Sequence, residues 1–213
     1  MADVNPRETH SVDLALVLAV DCSSSIDAAD FHLQMRGISE AISNPAVFTA
    51  IQSGPHQRIA LSIVHWSNHK TQKIALPWRA LGSRSELEMC AEDIAKLPRN
   101  WVAGGTGLAA GLNFCTAYLN AVPFSTARKT IDVSGDGQDN EGGDMEAMHQ
   151  QAKMLAITIN GLPIIDGSRL LEAYYRERVI VGTDAFVVPA ADIRAFTQAM
   201  TQKLLQEIQR QVT

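Results

Sequence analysis

Five oxygen-bearing side chains are spaced along this 213-residue sequence in a way that suits a shared cation: Asp21, Ser23 and Ser25 in one short segment, then Thr106, then Asp136. The first three alternate, so one extended or turning segment can aim three oxygens the same way. Two carboxylates, three hydroxyls and water make an all-oxygen set of about six ligands, which suits a hard divalent cation. Mg2+ is the first choice, at distances of about 2.0–2.1 Å. Mn2+ accepts the same ligands and binds at least as well by the usual affinity order, and Ca2+ is a further substitute. Hydroxyls are neutral donors, so a metal held by them beside only two acids keeps an affinity for one more anion. Gly104, Gly105 and Gly107 give the backbone room to approach. The helix that starts there adds a dipole favouring an incoming carboxylate.

The elements that must carry these residues follow from the hydrophobic pattern. Leu14 to Val20 is an unbroken apolar run that stops at Asp21, which suits a parallel strand covered on both faces. The polar cluster therefore lies at that strand's carboxyl end, where ligands bind in open α/β sheets. Asp27 or Ser25 can cap a helix running to about Ser43, and Asn44-Pro45 ends it. Arg58–Trp66 and Gln72–Trp78 read as strands joined too closely for anything but an antiparallel hairpin. A helix over Ser83–Leu97, with Ser83 or Ser85 as its cap, and another over Leu108–Leu119 follow. Arg128–Ser134 is a strand running into Gly135-Asp136-Gly137. Helix Glu141–Leu155, strand Ala156–Leu162, helix Ser168–Arg178, strand Ala185–Val188 and a helix carrying Ile193, Phe196, Met200, Leu204 and Ile208 complete the chain. This order predicts an α/β fold: a mostly parallel central sheet of about six strands with one antiparallel edge strand, and helices on both faces.

Composition narrows the function classes. With 46% hydrophobic residues the chain can bury a full core, and it reads as one domain over 12–213 behind a polar extension, 1–11. A net charge of −5 without a basic stripe argues against nucleic acid as a partner. The early apolar run is too short to span a bilayer, and acids rather than bases precede it, so it reads as neither membrane span nor signal peptide. Asp21 before Cys22 argues against lipoprotein processing. The compartment stays open between periplasmic or secreted, for a trimmed chain, and cytoplasmic. Three cysteines make no disulfide framework. Cys90 and Cys115 fall on expected helices and can pair, although buried free thiols are the favoured reading.

Rival chemistries fit less well. Gly105-Thr-Gly107-Leu-Ala-Ala110 matches a dinucleotide fingerprint but follows no clear strand. Ser134 has Asp132 where the glycine of a hydrolase elbow belongs, and Asp132 itself reads as a buried structural acid. The Asp139, Asn140, Glu141 and Asp144 cluster reads as a solvated loop capping the next helix, with an extended metal site as its alternative. His65 and His69 straddle the hairpin turn and read as strand and surface residues. The sequence resembles the metal-ion-dependent adhesion site of von Willebrand factor type A domains, through Asp21-x-Ser23-x-Ser25, Gly105-Thr106 before a helix, and Gly135-Asp136-Gly137 after an apolar strand. Asp13–Asp21, Trp66-Ser67, Ile131–Gly137, Thr158–Leu162 and Tyr174-Tyr175 further resemble a bacterial subfamily, domain of unknown function 1194. The resemblance implies a Rossmann-like fold, five metal-site positions at Asp21, Ser23, Ser25, Thr106 and Asp136, and no catalytic residue. It also implies protein binding in which an unidentified partner supplies a Glu or Asp. The alternative is a metal-dependent hydrolase with Asp139 or Glu141 as base.

Overall fold

Leu14–Asp21 forms the central strand, β1, with all eight residues buried. The computed structural model describes residues 11–100, 104–165 and 170–210. The first ten residues, most of the expected extension, lie outside that range. After β1 come α1 (Ala28–Ile42), α2 (Pro45–Gln52), β2 (Ile59–Trp66), β3 (Gln72–Leu81), α3 (Arg84–Ala95), α4 (Leu108–Asn120) and β4 (Lys129–Gly135). Then follow α5 (Met145–Met154), β5 (Ile157–Pro163), α6 (Leu170–Tyr174), a π-helical turn (Tyr175–Val179), a 3-10 turn (Ile193–Ala195) and α7 (Phe196–Gln209).

The sheet runs β3-β2-β1-β4-β5. β1 pairs in parallel with β2 and β4, β5 extends the parallel set beyond β4, and β3 closes the other edge antiparallel to β2. Chain order thus leaves β1 in one direction and returns on its other side at β4. The crevice beyond the carboxyl ends of β1 and β4 is therefore the topological switch point, where such sheets place their ligands. Asp21 ends β1 and Asp136 follows β4, so the fold delivers both acids there.

Both faces of β1 are covered. Leu14, Leu16, Leu18 and Val20 join a core with residues of α1, α2, α3 and α7. Ala15, Val17 and Ala19 join a second core with α4, α5 and the π-helical turn. The smaller alternate residues let α4 approach closely, and at Gly111 a methyl would sit 3.0 Å from Trp66. Cys90 lies in the first core and Cys115 in the second, so the sheet separates them and both are free thiols.

The helix starts obey local chemistry. Asp27 accepts from the Asp30 N–H to cap α1, and Ser83 with Glu86 forms a reciprocal capping box on α3. Each such cap contributes about 1 kcal/mol.

Three expectations need correction. The described sheet has five strands, not six: the 185–190 stretch makes only isolated bridges, Val187 to Gly161 of β5 and Ala190 to Ile164 just beyond it. Val188 and Ala190 N–H donate to Gly161 O and Pro163 O, but Pro163 has no N–H to return between them. Asn44-Pro45 ends α1 as expected but also begins α2, with Asn44 as cap and Pro45 in its first turn. Helix α5 begins at Met145, capped by Asp144, rather than at Glu141, because Gly142 adopts φ +73°. Residue 168, the expected start of the helix before Tyr174, lies outside the described residues.

Candidate metal centre

The first site segment leaves β1 in a tight turn. Parallel pairing persists for one residue, as Cys22 N–H donates to Trp66 O at 2.8 Å. The Ser23 N–H then turns back onto Asp21 Oδ1 at 2.7 Å, and Ser23 and Ser25 hydroxyls lie 3.1 Å apart. Arg99 clasps the same turn from behind, donating to the carbonyls of Ser23 and Ile26. Its donors thereby meet backbone oxygens and neither rim carboxylate.

The second segment is fastened on three sides. Ser24 N–H donates to Gly104 O at 3.1 Å, and Gly107 N–H to Ser67 O at 2.7 Å. Gly104 sits at φ +145°, and a methyl there would lie 2.5 Å from Ser67 Oγ, so only glycine fits. Thr106 N–H donates to Asn140 Oδ1 at 2.9 Å, while Asn140 N–H returns to Thr106 O at 3.0 Å. Asp139 completes the clamp. Its Oδ2 accepts from Ala109 N–H at 2.9 Å, capping the start of α4 from another loop. Its Oδ1 accepts from Glu141 and Gly142 N–H at 3.1 and 3.0 Å. Helix α4 needs that outside help because its own cap residue, Gly107, has no side chain to offer.

The third segment closes the ring. Ser25 Oγ donates to Asp136 Oδ1 at 2.7 Å. A methyl built on Gly137 would lie 3.3 Å from Thr106 Oγ1, so that hydroxyl borders the Asp136 turn. The structure thus brings Asp21, Ser23, Ser25, Thr106 and Asp136 to one rim, at the switch point of the sheet.

The electrostatics suit a cation. Asp21 is fully buried, and its Oδ2 has no hydrogen-bond partner. Burial pushes its carboxyl up to about 7, the Asp136 charge adds to that, and donors from Ser23 and Asp136 oppose it. A buried acid with an unpartnered oxygen and a second acid nearby is costly unless positive charge arrives. Among the described residues, no three His, Cys, Asp or Glu side chains group as a metal site. A cation here would rely on the hydroxyls, as a hard ion can.

Sequence reasoning missed the residues that brace this rim. Asn140 and Asp139 hold the Thr106 segment, and Tyr174 Oη accepts the Asp139 N–H at 3.2 Å. Their signal was an acidic cluster followed by glycines, which also describes any solvated loop. His69 pairs with Glu141 at the exposed rim. His65 is buried in β2, where burial first and Lys73 second push it down to about 4, so it is a neutral core histidine.

A family described as "Protein of unknown function (DUF1194)" matches residues 11–212. Among curated proteins, none matches the sequence. Solved structures do. Proximal thread matrix protein 1 from the mussel byssus, with a zinc-occupied MIDAS motif, aligns at TM-score 0.70 and 15% identity, covering 93% of this chain and 48% of that one. A von Willebrand factor type A protein from Catenulispora acidiphila aligns at TM-score 0.65 and 14% identity, covering 92% and 43%. The pilus adhesin SpaC from Lactobacillus rhamnosus GG aligns at 0.59 and 14%, covering 92% and 31%. This chain spans half or less of each of those proteins, and identities this low speak for the fold alone. No helix among the described residues is long and apolar enough to cross a membrane. With nearly all of its length matched, the chain belongs to the DUF1194 family, and its fold is that of a von Willebrand factor type A domain.

Proposed function

We propose that this chain is a metal-dependent protein-binding module. Ser23, Ser25 and Thr106 hold Mg2+ directly, Asp21 and Asp136 hold it directly or through water, and a Glu or Asp of a partner protein completes the shell. The observation that carries this reading is the meeting of three segments, about 30 to 80 residues apart in sequence, around an acid whose Oδ2 is buried and unpartnered. When bound, the ion supplies the positive charge that draws a carboxylate to the rim. The chain's part is preorganisation: Arg99, Asn140 and Asp139 spend their polar groups on fixing the loops, so little ordering remains when a partner arrives. The fold's occurrence in a pilus adhesin and a byssus matrix protein supports a binding role. The hydrolytic reading has less support, because backbone amides occupy both oxygens of Asp139 and His69 engages Glu141.

Calorimetry with Mg2+ and Mn2+ on wild type, Asp21→Ala and Thr106→Ala tests the proposal. A saturable heat in wild type that disappears in both variants is the expected result. Equal heats in all three proteins would overturn it. Pull-down with wild type against Thr106→Ala, with and without chelator, then isolates the partner.

A further inference from the structure

The tyrosine pair singled out in the sequence has a place beneath the metal rim. Helix α6 widens after Tyr174 into a π-helical turn, in which Ile180 N–H donates to Tyr175 O at 3.1 Å. Such turns are rare and recur at functional sites. Successive helical residues point about 100° apart, and here the two rings diverge. Tyr174 reaches outward to the Asp139 N–H. Tyr175 turns inward, fully buried, with its ring against β5 so closely that a methyl on Gly161 would lie 2.6 Å from its Cδ1.

The Tyr175 hydroxyl ends in an unusual position. It is buried and has no hydrogen-bond partner, the same condition as Asp21 Oδ2. Both oxygens flank one glycine: a methyl on Gly135 would lie 2.9 Å from Asp21 Oδ2 and 3.0 Å from the Tyr175 oxygen. Each therefore lies about 3 Å from one point, which puts the two within about 6 Å of each other. A protonated phenol and a carboxylate oxygen are complementary, and a buried donor and a buried acceptor left apart would each forfeit their hydrogen bond to water.

We infer that Tyr175 is a positioning residue of this site, its hydroxyl the hydrogen-bond donor that serves Asp21 Oδ2. Ser23 N–H holds the other oxygen, Oδ1. The carboxylate is then fixed at both ends, and its plane is set before an ion arrives. Outer-shell partners of this kind affect metal affinity by about 10- to 100-fold. That consequence rests on the proposed metal site, whereas the Tyr175–Asp21 link does not.

The test uses Tyr175→Phe, which removes one oxygen and keeps the packed ring, with wild type and Asp21→Asn. Protein labelled with 13C at the tyrosine Cζ gives three resonances, from Tyr118, Tyr174 and Tyr175. Tyr118→Phe and Tyr174→Phe assign the third by elimination even if Tyr175→Phe folds poorly. The expected result is a shift of the Tyr175 resonance in Asp21→Asn with that of Tyr118 unmoved. Titration with Mn2+ alone should show affinity about 10-fold weaker in Tyr175→Phe. A Tyr175 resonance indifferent to Asp21→Asn overturns the inference, as does equal Mn2+ affinity in wild type and Tyr175→Phe. If wild type takes no Mn2+, the metal reading fails and the resonance alone decides the link.

Discussion

Strand β4 and its end carry two acids four residues apart, Asp132 and Asp136, and their surroundings resolve the same problem differently. Asp132 lies beside an internal cation: Lys203 Nζ of α7 is 2.9 Å from Asp132 Oδ1 and 2.9 Å from Glu207 Oε1, with all three residues buried. Asn160 Nδ2 also donates to Glu207 Oε1 at 2.9 Å. Here the chain supplies its own cation. At the rim, Asp136 and Asp21 face three hydroxyls, and the nearby Arg99 is turned onto carbonyls. The two regions share a fold and a strand, and differ in whether a protein ammonium is built in. A pair of acids with an internal lysine is a structural strut joining α7 to the sheet. On the proposed reading, a pair without one takes its cation from solution.

The sharpest break in this comparison is Lys203→Met. It leaves two buried carboxylates without their cation, and chemical denaturation should show a loss of about 3–5 kcal/mol. The corresponding removal at the rim, Thr106→Ala, should leave apo stability nearly unchanged and instead abolish stabilisation by metal. For wild type, Mg2+ at about 100 times its Kd should add about 2.7 kcal/mol, read from melting with and without chelator. An equal response in Thr106→Ala would place the ion elsewhere.

The strut should also show in pH dependence. Burial, followed by the opposing pull of Lys203 and then the Glu207 charge, leaves Asp132 raised above its ordinary 3.8. The folded state therefore keeps a proton there that the unfolded chain has released. The contribution is favourable at low pH and fades as pH rises above the ordinary carboxylate range. Asp132→Asn should flatten the stability profile in that window, and an unaltered slope would remove Asp132 as its source. Smallest of all, Asp144→Ala removes the α5 cap beside the rim loop and should cost about 1 kcal/mol. It should leave metal response intact, since Asp139 and Asn140 rather than Asp144 hold Thr106.

The contrast explains what the sequence disclosed. The unalternating run from Leu14 announced a strand covered on both faces, because covering both faces is what removes polar alternation. The Asp-Ser-Ser turn, the glycines around Thr106 and the Gly-Asp-Gly turn were readable because each is a local solution to a backbone need. Residues acting across the chain were not. Asn140 and Asp139 serve Thr106 and Ala109 from 34 and 30 residues away and look like loop decoration. Lys203 and Glu207 stand four apart on a helix, the spacing of an ordinary surface pair, yet both are buried. Asn44-Pro45 was read as a stop, although the same dipeptide starts a helix. The 185–190 stretch is apolar enough for a strand, but Pro163 opposite it has no N–H to complete the ladder.

The most direct measurement is anomalous diffraction from crystals soaked in Mn2+. The account predicts one strong peak at the rim, within coordination reach of the Ser23, Ser25 and Thr106 hydroxyl oxygens and beside the Asp21 and Asp136 carboxylates. A saturating soak that leaves this rim without a peak, or that puts manganese only at other acids, would contradict it.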